Sequence, residues 1–270
     1  MAGGMQRLLK LGRRDDTEPL ARAAFLARMS GLLGANQRLL YVPNGTDTTT
    51  SVESSTVGRT ITWDATIAAR ASALGNGYGQ SFNGTTQYGS MPDADDMSFG
   101  NGSVDQPVGV LVLANVTDTA ASRDFLTKWD GPVAAAREWN FSVNGSDQFR
   151  FEVYDEVTDA LVTNVSTATI PQGSWCLFGA TYDGRGGTTA ANGITLYVNG
   201  AAVSSTATNH ASYTAMSNTT VGAAIGARNV GTVAPMAGSL ALVALTQKAL
   251  TASEHAQMRS LCRRFFGVAI

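Results

Sequence analysis

The chain has 270 residues, room for one large β-sandwich or two small domains, and only 15% of them are charged, below the roughly 25% usual for soluble domains. Its formal net charge of −2 gives no electrostatic reason to expect nucleic acid or an anionic membrane as partner. No stretch supplies the run of about 18 apolar residues that a membrane-spanning helix needs, and the abundance of Gly, Thr, Ser, Asn and Ala suits short strands joined by turns.

Residues 1–17 are Gly-rich and charged, and Lys10, Arg13, Arg14, Asp15 and Asp16 interrupt any signal-peptide-like apolar core. The expectation is a product that folds where it is made. Pro19 opens a predicted helix that runs to about Leu33, since a first-turn N–H has no helical partner to lose. Leu20, Ala24, Ala27 and Gly31 share one stripe, widened by Phe25, Met29 and Leu32. That stripe suits packing against the rest of the chain and anchoring to a partner subunit equally well. Basic residues gather at both ends, as Arg7, Lys10, Arg13 and Arg14 and as Arg259, Arg263 and Arg264, where solvated helix faces account for them. In residues 41–77 Asn44-Gly45 and Asn76-Gly77 mark turns, and Trp63, in the run 60–63, is the expected buried residue.

From Phe82 onward the pattern is clearer. Residues 108–114 (VGVLVLA) form the continuous apolar run of a central strand, and 125–129 and 139–143 are short strands. Along 148–154, Phe149, Phe151 and Val153 face one way and Arg150, Glu152 and Tyr154 the other; 161–165 follows. The strand 175–182 ends in Tyr182-Asp183-Gly184. In 194–199, Ile194, Leu196 and Val198 alternate with Thr195, Tyr197 and Asn199, and Asn199-Gly200 supplies the positive φ of a tight turn before 201–203. The last strands are 220–226 and 240–246. In the latter Leu240, Leu242 and Ala244 alternate with Ala241, Val243 and Leu245, so both faces are apolar and the outer one needs a cover. Thr251 and Glu254 form a capping box, and the stripe Met258, Leu261, Cys262 and Phe265 makes the following helix the obvious cover. Cys176, on a core strand, and Cys262, on this helix, are expected as buried, reduced thiols.

These pieces resemble a known family. Trp175 followed by Tyr182-Asp183-Gly184 and Leu196-Tyr197-Val198-Asn199-Gly200, with Phe82-Asn83-Gly84-Thr85-Thr86-Gln87-Tyr88 before and Gly238-Ser239-Leu240 through Ala249-Leu250-Thr251-Ala252-Ser253-Glu254 after, is similar to the laminin-G-like or concanavalin A-like lectin/glucanase jelly roll over residues 78–258. The resemblance implies an all-β fold, a two-sheet antiparallel jelly-roll sandwich over 41–250, to which this sequence adds an N-terminal arm and helix at 1–40 and a capping helix at 251–270.

Chemistry is sparse. Two histidines, His210 and His255, and no Cys-x-x-Cys argue against zinc, and there is no Gly-x-Ser-x-Gly elbow, P-loop or dinucleotide fingerprint. Glucanases of this fold need two carboxylates across a cleft. Glu152 and Glu156 are the best pair, but the run FEVYDE lacks the closely alternating acidic pattern those enzymes carry, and no catalytic residue is expected. The family often holds calcium at the sandwich rim. The corresponding candidates are Asn83, Asp93, Asp95, Asp96 and Asp183, with turn formation as their structural alternative, and the acidic pair often found in the closing strand is here Ala241-Leu242. Sugar would be met by Tyr154, Tyr197 and Tyr213, whereas Trp129 and Trp139 are expected to pack inside.

The resulting expectation is a non-enzymatic virion protein, made in a host cytoplasm, that displays a glycan-binding jelly roll on a phage capsid, fibre or tail. Residues 1–40 would contact other virion proteins, and the chain would be a homo-oligomer or part of an assembly. A free lectin, with or without calcium, is the alternative, and a polysaccharide hydrolase the third reading.

Overall fold

A computed structural model describes residues 22–43, 49–64, 78–117, 120–130, 136–228 and 233–270. The Pro19 helix start, the arm 1–17 and the Asn44-Gly45 and Asn76-Gly77 turns lie outside the described residues. In chain order the elements are α1 (Arg22–Leu33), β1 (Gln37–Tyr41), β2 (Thr50–Val52), β3 (Thr60–Trp63), β4 (Gln80–Asn83), β5 (Gly89–Met91), β6 (Val108–Val116), β7 (Arg123–Trp129), β8 (Arg137–Val143), β9 (Gln148–Asp155), β10 (Ala160–Thr169), β11 (Trp175–Tyr182), β12 (Ile194–Val198), β13 (Ala201–Ala202), β14 (Ser205–Thr208), β15 (Ala223–Ile225), β16 (Ala237–Thr246) and α2 (Ala252–Phe266).

Among the described residues the strands form two antiparallel sheets. One has seven strands in the order β1-β16-β6-β11-β12-β13, with β4 also pairing β16; the other has nine, β14-β10-β9-β8-β7-β15-β5-β3-β2. The jelly-roll expectation holds, and the sheets take in residues well before the Phe82 motif. One core lies between the sheets. Val108, Val110, Val112 and Ala114 meet Phe141, Phe149, Phe151 and Val153, and Phe178 stacks on Phe125 with ring centroids 5.1 Å apart. Trp63 is buried there as expected.

A second core lies on the other side of the seven-stranded sheet. Leu111, Leu113, Leu177, Ala241, Leu242 and Ala244 face both helices, which supply Phe25, Met29, Leu33, Met258, Cys262 and Phe265. Phe25 stacks on Phe265 at 4.3 Å and meets Phe266 edge-on at 5.4 Å. The buried stripe of α1 is therefore Phe25-Met29-Leu33, whereas Ala27 and Gly31 are exposed, because the large side chains are drawn to the rings of α2. Of the two roles open to this helix, packing describes residues 22–33. Gly34, with φ +80°, ends the helix, and the Thr246 hydroxyl donates to the Leu33 carbonyl at 2.8 Å.

The alternation expected in β16 is corrected by a bulge. Leu240 pairs with Ala114 but Leu242 with Leu113, so Ala241 is an extra residue. Ala241 and Leu242 consequently both face the helices, while Leu240, Val243 and Leu245 enter the sandwich. The cover itself is α2, as expected. Its capping box forms, and Gly267 closes it at φ +69°. His255 ties it down: the imidazole stacks on Tyr197 at 3.8 Å and its Nε2 lies 3.1 Å from the Thr181 hydroxyl. Both cysteines are free and buried, Cys176 in the sandwich and Cys262 beneath the helices.

Candidate ligand-binding face

The nine-stranded sheet turns its apolar side chains inward, so alternate residues of β7 to β10 must point away from the core. The register aligns them in rows. Asp124 lies opposite Ser142, Ser142 opposite Arg150 and Arg150 opposite Val165; in the next row Thr127, Asn140, Glu152 and Thr163 face one another in turn. Every one of these is polar except Val165. The alternation Arg150/Glu152/Tyr154 is what the sequence pattern of β9 led one to expect.

The side chains form a continuous network. Asn140 Nδ2 donates to Asp124 Oδ1 at 3.1 Å and to Glu152 Oε2 at 3.0 Å, so one amide bridges two carboxylates. Arg228 Nε pairs with Asp124 Oδ2 at 3.0 Å, Arg150 Nη1 with Glu152 Oε1 at 3.0 Å, and Arg150 Nε donates to the Ser142 hydroxyl at 2.9 Å. Asp124 has no exposure at all, and burial pushes its carboxyl up to about 6 against the opposing pull of Arg228. Two polar atoms of the second row, Asn140 Oδ1 and Thr163 Oγ1, are buried with no hydrogen-bond partner among the described residues. Such orphans normally find a partner in protein, water or ligand.

An aromatic extension continues the face. Trp129 meets Tyr154 edge-on at 5.2 Å, Arg228 lies over the Trp129 ring at 5.3 Å and Arg137 over the Tyr154 ring at 3.9 Å. Arg137 in turn holds Glu156 at 2.6 Å and Asp159 at 3.1 Å.

The three tyrosines proposed for sugar are not brought together. Tyr154 belongs to this face, but its ring is packed under Arg137 and its hydroxyl donates to Asp159. Tyr197 points to the other sheet's helix side, beneath His255. Tyr213 is buried and donates to Asp105 Oδ2 at 2.9 Å, beside the Tyr182 hydroxyl at 2.5 Å, where it pins the 213–216 segment to the sandwich end. Trp139 packs inside, as expected, whereas Trp129 does not join that core and lies against Tyr154 and Arg228 on this outer face. Glu152 and Glu156 do not work as a pair, since Glu156 lies beyond the end of β9 in the grip of Arg137. The carboxylate that shares a hydrogen-bond donor with Glu152 is Asp124, which sequence reasoning passed over.

The five calcium candidates are also dispersed. Asn83 Oδ1 accepts the N–H groups of Thr85 and Thr86, closing its own turn. Asp93 pairs with Lys128 at 2.9 Å, Asp96 with Arg59, and Asp183 with Arg185 Nη2 at 2.5 Å, while Asp95 accepts from Asn218. Among the described residues no group of three His, Cys, Asp or Glu side chains is arranged to hold a metal.

A family model, described as the concanavalin A-like lectin/glucanases superfamily, matches residues 110–254. No curated protein sequence matches the chain. Solved structures that superpose on it include the receptor binding domain of botulinum neurotoxin type G, at 14% identity and a TM-score of 0.57, covering 84% of this chain and 51% of that one. A second is the serotype D ligand binding domain in complex with N-acetylneuraminic acid, at 9% identity and a TM-score of 0.58, covering 86% and 52%. A third is domain 4 of AbnA, an extracellular arabinanase from Geobacillus stearothermophilus, in complex with arabinotriose, at 18% identity and a TM-score of 0.52, covering 83% and 98%. At these identities the likeness is one of fold, and the chain spans about half the length of the neurotoxin domains. The span matched by the family model exceeds half of the sequence and coincides with the central strands of both sheets: the chain belongs to the concanavalin A-like lectin/glucanases superfamily.

Proposed function

We propose that the chain is a non-enzymatic carbohydrate-binding module whose ligand lies on the outer face of the nine-stranded sheet. The observation that carries this reading is the polar row Asn140-Glu152-Thr163 with Arg150 beside it, in which two buried oxygens lack partners. A polyhydroxylated ligand offers donors and acceptors together, and Thr163, Arg150 and Leu161 are among the members of the face that solvent reaches. Two of the superposed structures contain sugars, which supports the class of ligand without naming it. Against hydrolysis stands the state of the two carboxylates. Asp124 and Glu152 are buried, bonded to the same amide and each paired with an arginine, so neither is placed to protonate a leaving oxygen.

The test is a glycan array probed with the full chain, followed by titration of the best ligand. Thr163→Val keeps the shape of the side chain and should weaken binding roughly fivefold to tenfold, as loss of one hydrogen bond does. No signal on any glycan, or affinity unchanged in both Thr163→Val and Arg150→Met, overturns the assignment.

The finer proposal is display on a virus particle. It is supported by the position of α1, which packs on the seven-stranded sheet and leaves the polar face of the other sheet clear. Contact with other virion proteins then falls to residues 1–21, and a chain lacking them should fail to enter particles while still binding glycan. Unchanged incorporation refutes the anchoring role and favours a free lectin.

A further inference from the structure

Lys128 stands opposite Trp139 in the β7–β8 register, and neither it nor Glu138 is exposed. Its Nζ lies 2.6 Å from Glu138 Oε1, 2.9 Å from Asp93 Oδ1 and 3.2 Å from the Thr219 carbonyl oxygen, which uses all three ammonium donors. Two carboxylates thus share one fully buried cation, and among the described residues no other Lys or Arg is within ion-pair distance of either. Such an arrangement carries a large desolvation cost that hydrogen bonds only partly offset.

The two carboxylates are not equivalent. Glu138 is fixed on its strand, and its Oε1 also accepts from the Thr219 N–H and hydroxyl, each at 2.8 Å, and from the Ser98 hydroxyl at 3.2 Å. Its Oε2 is buried and has no partner among the described residues. Asp93 sits outside the strands, just after β5, with a side chain that is 29% exposed. It can follow the lysine nitrogen as the contact shortens, whereas Glu138 is held in place.

We propose that Lys128 and Asp93 condense into an intramolecular isopeptide bond, with Glu138 as the proton carrier. Glu138 takes one proton from the ammonium and passes it to Asp93, which leaves a neutral amine beside a neutral carboxyl. The nitrogen lone pair attacks Asp93 Cγ, forming the Nζ–Cγ bond. A second nitrogen proton travels through Glu138 to the hydroxyl oxygen, the Cγ–O bond breaks and that oxygen leaves as water. The last proton stays on the amide nitrogen, and Glu138 ends as it began. No electrons are gained or lost, and the opposite charges of Lys128 and Asp93 disappear together. Burial already pushes the Glu138 carboxyl above its ordinary value, in keeping with a group that accepts a proton readily.

The bond would join β7 to the segment after β5 across β15, which lies between them in the sheet. It would close residues 93–128 into a covalent loop, a cross-link that restricts the unfolded chain as a disulfide does but that reductants leave intact.

Intact mass spectrometry of the denatured full chain tests this directly. The wild-type protein should be one water lighter than its sequence, and peptide mapping should recover a branched fragment joining Asp93 to Lys128. Asp93→Asn should lose ammonia in place of water, while Lys128→Arg and Glu138→Gln should keep their full sequence masses. A wild-type mass equal to the sequence after prolonged incubation overturns the proposal, as does a branch from Lys128 to Glu138. Condensation of Glu138→Gln at the wild-type rate overturns the role given to Glu138.

Discussion

His255 offers a quantitative test of how α2 is held. Its imidazole is almost wholly buried between the helix and the seven-stranded sheet, with Tyr197 against its face and the Thr181 hydroxyl at Nε2. Burial lowers its pKa from the ordinary 6.5 to about 4, and the neighbouring Glu254 only partly opposes this. Since the folded protein keeps the ring neutral, protons bind the unfolded chain first. The stability this group supports is therefore full above pH 6.5, falls as the pH drops from 6.5 towards 4, and is gone below that. At about 1.4 kcal/mol per pH unit the loss amounts to about 3 kcal/mol. Urea denaturation followed by tryptophan fluorescence at pH 7 and pH 4, in wild type and in His255→Gln, isolates the term, because every other titrating group is common to both proteins. Wild type should lose about 3 kcal/mol more than the variant across this window. Equal losses in the two proteins would refute the claim that a neutral, buried imidazole holds the helix.

The same contact predicts that Gly179→Ala is harmful, since a Cβ there would stand 2.7 Å from His255 Cε1; it should lower Tm and flatten the pH difference between wild type and His255→Gln backgrounds. Phe178→Ala removes a buried ring stacked on Phe125 and 5.2 Å from Phe149, and should cost about 3–5 kcal/mol in urea denaturation. A loss below about 1 kcal/mol would mean that the core collapses around the gap. Chelation by EDTA should leave both Tm and glycan titrations unchanged, because the carboxylates of Asp93, Asp96 and Asp183 are already neutralised by Lys128, Arg59 and Arg185.

Much of the sandwich was legible because local signals agreed with it. Asn199 and Gly200 take positive φ between β12 and β13, and the capping box at Thr251 and Glu254 forms as written in the sequence. Two-residue alternation located the inward rings of β9. It failed in β16, where strict alternation carries no sign of the extra residue at Ala241; only pairing with β6 fixes that. The candidate face was half visible. Arg150 and Glu152 showed as the polar side of β9, and the run Trp139-Asn140-Phe141-Ser142-Val143 carries the matching alternation that could have exposed Asn140 and Ser142 as their neighbours. Asp124 is on β7 and Arg228 in the loop after β15, 104 residues apart, and nothing local links them. Tyr197 shows a related limit: the period of a strand tells which residues share a side, not whether that side is met by water or a helix, and Tyr213, outside any strand, carries no periodic signal at all.

The two helices give the molecule a front and a back. Arg22, where the described chain begins, and Ile270, whose carbonyl accepts from Arg259 of α2 at 2.8 Å, both belong to the helical back. A fluorophore, tether or fused domain attached at Ile270 should therefore approach from behind, leaving the sheet of nine strands free to meet a surface broadside.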